Sequence, residues 1–163
     1  MTETATFESP VGRLTLHAED GAIVALDWTD APVSAPVVPV LREAGEQLAA
    51  YFAGHLRDFD LPLSPAGTSH QKQVWQEMSR IPYGALATYG DLATSIGSSA
   101  RAVGTACGRN PIPVIVPCHR VVAAGGRIGG YSGRGGRDTK RTLLALEGSA
   151  PDGDLLDANR GDR

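Results

Sequence analysis

Two extended runs, Arg13-Leu14-Thr15-Leu16-His17-Ala18 and Ala22-Ile23-Val24-Ala25-Leu26-Asp27-Trp28, flank Asp20-Gly21, and this juxtaposition constrains the first half of the chain more than anything else in it. A tight connection between antiparallel strands needs positive φ, which Asp and Gly tolerate, so the segment is expected to be a β-hairpin. Thr4 to Phe7 supplies a third strand. Pro32, Pro36 and Pro39 make residues 29–39 an irregular linker. Leu41, Ala44, Gly45, Leu48 and Phe52 then fall on one face at helical spacing, with Gly54 placed to end the helix. Leu56 to Leu63 is expected to be a further extended piece. Residues 1–66 thus make a small α/β domain, a β-sheet plus a helix, in which no chemistry stands out.

From residue 67 the pattern changes to short helices. Thr68-Ser69 is an N-cap signal for a helix running to Met78-Ser79. Pro82-Tyr83-Gly84 makes a turn, and Thr88 caps a helix from Tyr89 to Ile96. Gly97 breaks it, and Ser98 or Ser99 starts another that ends near Cys107. Helix, short glycine turn and helix suggest a helix-turn-helix. Beyond Asn110 lie Pro111, Pro113 and the apolar run Val114-Ile115-Val116, read as a buried strand, then Pro117-Cys118-His119-Arg120. A glycine-rich loop spans Gly125 to Gly136, a last helix covers Thr139 to Leu146, and residues 149–163 form a polar tail expected to be flexible. The fold class is α/β with two domains, the second (67–148) mainly helical.

Charge adds a direction. Residues 67–148 carry ten Lys and Arg against four Asp and Glu, a formal +6; the rest carries five against fourteen, −9, and the whole chain −3. A basic segment beside an acidic one suits a second half that meets phosphates, although a chance surface distribution would give the same count. No apolar run approaches the roughly 20 residues needed to span a bilayer, and Met1 to Phe7 has no signal-peptide pattern. Two cysteines, Cys107 and Cys118, do not make a disulfide framework, so a reduced, cytoplasmic setting is expected. The four histidines are scattered and no CxxC occurs, so no metal site is expected.

Cys118 is the focus of the chemistry. It follows an apolar run and a proline suited to a first helical turn, where unpaired N–H groups and the positive end of the helix dipole favour a thiolate. His119, Arg120 and Arg109 could add positive potential. The competing reading is a small buried hydrophobe, the commonest fate of a free cysteine.

The segment Asn110-Pro111-Ile112-Pro113-Val114-Ile115-Val116-Pro117-Cys118-His119-Arg120-Val121-Val122 resembles the active-site signature of the methylated-DNA–protein-cysteine methyltransferases, the O6-alkylguanine-DNA alkyltransferase family. Ala100-Arg101-Ala102-Val103-Gly104 is similar to their recognition helix, Gly129-Gly130-Tyr131-Ser132-Gly133 to their active-site loop, and the segment from Lys140-Arg141 to Glu147-Gly148 to their last helix. Ser9-Pro10-Val11-Gly12 and Tyr51-Phe52-x-Gly54 extend the resemblance into the first half.

This resemblance implies direct-reversal repair. The alkyl group on O6 of guanine passes irreversibly to Cys118 in one turnover, without a cofactor, and O4-methylthymine is a second expected substrate. It implies that His119 acts on Cys118 through a water, that Glu147 orients His119, and that Asn110 ties the active-site turn together. Tyr89 would give a proton or hydrogen bond to N3 of the base, and Ser132 would bond near O6. Tyr131 would form an aromatic wall, and the carbonyls of Cys118 and Val121 would read the exocyclic amine. Arg101 would fill the space left by an extruded nucleotide. Small Ala100, Ala102 and Gly104 would let their helix press into the minor groove of double-stranded DNA. Cys107 is expected to be passive, the arginines of 134–137 to grip phosphate, and the protein to be a monomer without metal. A non-catalytic lesion binder is the main alternative, opposed by Cys118, His119 and Glu147. A sequence-specific regulator is disfavoured by the small residues at 100, 102 and 104, and nothing points to the oxyanion site that a cysteine hydrolase needs.

Overall fold

The computed structural model describes residues 2–149; the expected tail therefore lies, except for Ser149, outside the described residues. The chain forms two compact units. Within the described residues, one comprises residues 2–67 with Pro111–Ile115, and the other Thr68–Asn110 with residues 116–149. Pro111–Ile115, expected within the second domain, thus packs with the first, where Leu26 N donates to Pro111 O at 2.9 Å.

In the first unit, β1 (Thr2–Phe7), β2 (Leu14–Glu19) and β3 (Ala22–Trp28) form an antiparallel sheet in that order. Asp20 (φ 51°) and Gly21 (φ 76°) close the β2–β3 hairpin, the paired positive φ values that a two-residue turn requires. Pairing of His17 with Ala25 and of Ala18 with Ile23 leaves Val24 as an extra residue. That bulge explains how Ile23 and Leu26, three apart, both reach the core.

Helix α1 (Pro39–Phe52) packs on this sheet. Pro39, expected in the linker, is its first residue, where a missing N–H costs no helical bond. Gly45 sits mid-helix because a β-carbon there would overlap the Phe7 ring. The buried face ends on Tyr51 rather than Phe52, which is half-exposed. The bonds Gly54 N to Tyr51 O (3.0 Å) and His55 N to Ala50 O (2.8 Å) terminate the helix at the expected glycine. Residues 56–63, expected as an extended piece, do not make a fourth strand of the sheet. Leu63 alone bridges to Ile23, and the Gln47 side chain takes both Asp60 O (3.0 Å) and Asp60 N (2.9 Å), occupying groups that a ladder would need.

The second unit is built on local capping signals. Helix α2 (Ser69–Ser79) begins with a reciprocal capping box between Thr68 and Gln71. After it come β4 (Ala87–Thr88), α3 (Tyr89–Ile96) and α4 (Ala100–Gly108). A second capping box, Thr88 with Asp91, starts α3; Gly97 at φ 67° ends it, and Ser99 caps α4, giving the helix-turn-helix. Trp75 Nε1 donates to Ala106 O at 2.9 Å and ties α2 to α4. The short β5 (Val121–Val122) runs parallel to β4, with Ala87 opposite Val121 and Thr88 opposite Val122. Helix α5 (Arg137–Leu146) starts two residues earlier than expected. No helix among the described residues is long and apolar enough to cross a membrane.

Candidate active site

The apolar run before Cys118 is not a strand. Pro111, Pro113 and Pro117 remove three ladder donors, and Val114 adopts φ 73°, a left-handed conformation rare for a β-branched residue. Pro117 stands just outside the helical turn rather than within it, and Cys118–Arg120 is a single 3-10 turn. Pairing of β4 with β5 fixes the residue before Tyr89 to the chain just past this turn. The outcome is a cavity of about 300 Å³ lined by Cys118, Tyr89, Tyr131, Ser132, Gly130 and, from α4, Gly104, Cys107 and Gly108. Cys118 is 6% exposed, buried but not sealed, in a space at the lower end of small-molecule sites.

The expected helix-terminus depression of the Cys118 pKa is not what the structure gives. Burial pushes the thiol up, and one 3-10 turn supplies too little dipole to reverse that. Opposing the burial are a hydrogen bond from the Asn110 side chain and the charge of Lys140. Asn110 also donates from Nδ2 to Val116 O at 2.9 Å, bracing the turn from its other side. Lys140 was not anticipated. Fully buried, it donates from Nζ to Val121 O (2.7 Å) and Gly130 O (3.0 Å), and burial lowers its pKa to about 8. One acceptor site of the Val121 carbonyl is therefore already occupied by a protein donor.

His119 is completely buried, with Nε2 2.7 Å from Glu147 Oε2. Burial depresses its pKa, Glu147 raises it, and Arg120 and Lys140 lower it again, so the ring is neutral near pH 7. A neutral ring facing a carboxylate carries its proton on Nε2, which leaves Nδ1 as an acceptor. Nδ1 is buried and has no hydrogen-bond partner among the described residues. Arg120, expected only as a diffuse positive charge, instead grips Glu147 through Nε–Oε1 (2.8 Å) and Nη2–Oε2 (3.1 Å).

Tyr89 is the first residue of α3. Its pKa is pushed up to about 12, mainly by burial and further by the charges of Cys107 and Cys118, so the phenol stays protonated. A β-carbon on Gly129 would lie 3.2 Å from the Tyr89 hydroxyl, and Gly129 itself has φ 73°. The glycine allows the loop to close over the tyrosine. Cys107, lining the same cavity, donates to Met78 Sδ at 3.4 Å, and burial pushes its pKa to about 12, which fits a passive thiol.

The residues expected at the site separate into two groups. Cys118, Tyr89, Tyr131, Ser132 and Gly104 share the cavity, with Asn110 bonded to the sulfur and His119, next to Cys118 in the chain, paired with Glu147. Arg101 and Ala102 instead line a second cavity with Thr68, His70 and Thr105, and both Ala100 and Arg101 are exposed. The spacing of Lys140, Leu143, Leu144 and Glu147 carried a signal for the buried lysine. These positions (i, i+3, i+4, i+7) share one helical face, so a core-facing Leu143 and Leu144 draw the charged pair inward with them.

Comparison with known proteins places this arrangement. Residues 4–65 match the 6-O-methylguanine DNA methyltransferase ribonuclease-like domain, and residues 69–149 match the DNA binding domain of 6-O-methylguanine DNA methyltransferase. The chain is 44% identical over 154 residues to a methylated-DNA–protein-cysteine methyltransferase of Methanosarcina acetivorans, covering 89% of this chain and 97% of that one. It is 45% identical over 159 residues to that of Mycobacterium tuberculosis strain H37Rv (92% and 94% covered). The crystal structure of Mycobacterium tuberculosis O6-methylguanine methyltransferase superimposes with a TM-score of 0.81 at 41% identity, covering 96% and 98%. That of Mycobacterium tuberculosis OGT in complex with DNA gives 0.80 at 43% identity, covering 91% and 94%. With both halves matched and an addressable cysteine at the centre of the second, the chain belongs to the methylated-DNA–protein-cysteine methyltransferases, enzymes of direct-reversal DNA repair.

Proposed function

We propose that Cys118 accepts the alkyl group from O6 of guanine in double-stranded DNA, once per molecule. Sulfur forms a bond to the alkyl carbon as the carbon–O6 bond breaks, and the bonding pair leaves with the guanine. The thiol proton passes through a water to Nδ1 of His119, whose other nitrogen is held by Glu147. Asn110 and Lys140 stabilise the thiolate as it forms. Tyr89, which keeps its proton, donates a hydrogen bond to N3 of the departing base, while Ser132 bonds near O6 and Tyr131 walls the ring. The carbonyl of Val121 keeps a lone pair for the exocyclic amine beside its bond from Lys140.

To present O6, the nucleotide leaves the stack, and Arg101 fills the gap while Ala100, Ala102 and Gly104 allow α4 to approach the minor groove. No cofactor enters, because the damaged DNA is the donor; O4-methylthymine in DNA is a second substrate, and the protein works as a cytoplasmic monomer. The observation that carries this reading is the cavity joining Cys118 to Tyr89, Tyr131 and Ser132.

Intact-protein mass spectrometry after incubation with a duplex containing O6-methylguanine tests it. The expected result is a gain of one methyl in place of a hydrogen on the peptide holding Cys118, and no gain for Cys118→Ala. A retarded duplex with unchanged protein mass would instead identify a lesion binder.

A further inference from the structure

Arg120 takes no part in the scheme above, yet its setting is costly. It is 5% exposed, and a buried guanidinium is tolerated only when fully partnered. Its partners are all specified: Nε to Glu147 Oε1 (2.8 Å), Nη2 to Glu147 Oε2 (3.1 Å) and Nη1 to Ile81 O (2.7 Å). Its Cζ also lies 5.7 Å from the centre of the Tyr83 ring, and the Tyr83 hydroxyl donates to Leu146 O (3.1 Å), next to Glu147 in the chain. Glu147 Oε2 is thus shared between Arg120 and His119.

We propose that Arg120 is a positioning residue for the transfer: its fork fixes the Glu147 carboxylate against His119 Nε2 and, by neutralising that carboxylate, keeps His119 an uncharged base with its lone pair on Nδ1. An unneutralised buried glutamate would hold a proton on the imidazole and close the relay. With Arg120 present, the His119–Glu147–Arg120 cluster carries no net charge when the ring is neutral. A proton on His119 would make it cationic in a setting where Lys140 already bears positive charge, an arrangement that burial penalises. The Tyr83 phenol faces Arg120 and the Cys118 thiol adjoins His119 in the chain, while the residues that α2 buries, Val74, Trp75 and Met78, carry no charge.

This inference rests on the reading of His119 as the base, and its test is chosen to separate the two. Single-turnover rates with free O6-benzylguanine are measured from pH 5 to 9 for the natural chain, Arg120→Met and Arg120→Lys. In Arg120→Met the acid limb of the profile is expected to move up by about one pH unit or more, the size of effect that an opposite charge at contact distance exerts. Arg120→Lys, which restores the charge without the fork, returns the midpoint toward the natural value while the plateau rate stays lower. Equal midpoints in all three proteins, or identical shifts in Met and Lys, overturn the proposal. Nitrogen-15 spectra of His119 in the natural chain give an answer even if both variants misfold. An Nε2-protonated neutral ring at pH 6.5 is expected, and an imidazolium at that pH overturns it. If Cys118 gained no alkyl group at any pH, the function reading would fail, and the spectra would still show whether His119 is the neutral, Nε2-protonated ring that this proposal requires.

Discussion

The cavity holds two thiols whose surroundings push both toward the protonated form, and that has a measurable consequence for stability. Cys107 is pushed from 9.0 to about 12, and Cys118 is raised as well. For an acid with a raised folded-state pKa, the stabilisation is complete below the unfolded value. It is lost as pH rises, because above pH 9 the unfolded chain releases protons that the folded one retains. Unfolding free energy is therefore expected to fall between pH 9 and about 12, Cys107 contributing a slope of about 1.4 kcal/mol per pH unit and Cys118 acting in the same direction. Urea titrations at stepped pH check this: Cys107→Ala flattens the decline by one such share, and an unchanged slope would show that the thiol is not shielded. Tyr89 makes a separate case. Its proton is retained to about pH 12, so Tyr89→Phe removes a donor and leaves the aromatic surface. A hydrogen bond to a charged partner contributes about 1.5–3 kcal/mol, so the transfer rate is expected to drop by about ten- to a hundredfold. Single-turnover assays measure the rate, and gel shifts with Cys118→Ala and Cys118→Ala/Tyr89→Phe check that duplex binding is unaltered.

Position at this site is set by element ends rather than element middles. Tyr89 owes its place to the capping box of Thr88 and Asp91 (Asp91 N to Thr88 Oγ1, 3.0 Å; Thr88 N to Asp91 Oδ2, 2.9 Å) and to the pairing of Thr88 with Val122. Thr88→Ala is expected to cost about 1 kcal/mol of stability by denaturant titration, and also to slow alkyl transfer, because the helix start that carries the phenol is loosened. A loss of stability with no change in rate would show that the cap does not position the tyrosine. These caps were legible in the sequence because each is a local pattern within four residues, as were the Asp20-Gly21 hairpin and the Gly97 break. Residues 56–63 were not, since their strand character is cancelled by a side chain thirteen positions away, Gln47. Nor was the direction of the Cys118 pKa shift. A helix start can be read from a proline and a cysteine, but the burial that outweighs it depends on distant parts of the chain, Tyr89, Cys107 and Tyr131 among them, gathering around the thiol, with Asn110 and Lys140 only partly offsetting it. The resemblance named Cys118, Tyr89, Tyr131 and Ser132, which line one cavity, and helical spacing signalled the burial of Lys140, whereas its bonds to Val121 and Gly130 and the grip of Arg120 on Glu147 required coordinates.

At the scale of the whole molecule, the chain separates charge along its length, +6 in residues 67–148 against −9 elsewhere. A net charge of −3 would by itself repel a polyanion, so attraction must come from the basic part alone. Each phosphate neutralised by a cation releases counterions and steepens the salt dependence of binding by about 0.9 in the log–log slope. Reaction with a methylated duplex at limiting protein is therefore expected to fall steeply as salt rises from about 50 to 200 mM. Reaction with free O6-benzylguanine, which has no phosphates, should change by less than about twofold, since screening acts on neither partner's approach. Arg101 allows the two contributions to be told apart. Exposed on α4, it is free to act either as one more phosphate contact or as the side chain that occupies the space of an extruded nucleotide. As a phosphate contact, Arg101→Ala would lower the salt slope by about one and could be rescued by lowering the salt. As a space-filling side chain, it would slow the duplex reaction at every salt concentration and leave the free-base reaction at its natural rate. The second pattern is the one expected, because extrusion itself costs a few kcal/mol that a vacated stack cannot recover, and equal losses on both substrates would refute the role.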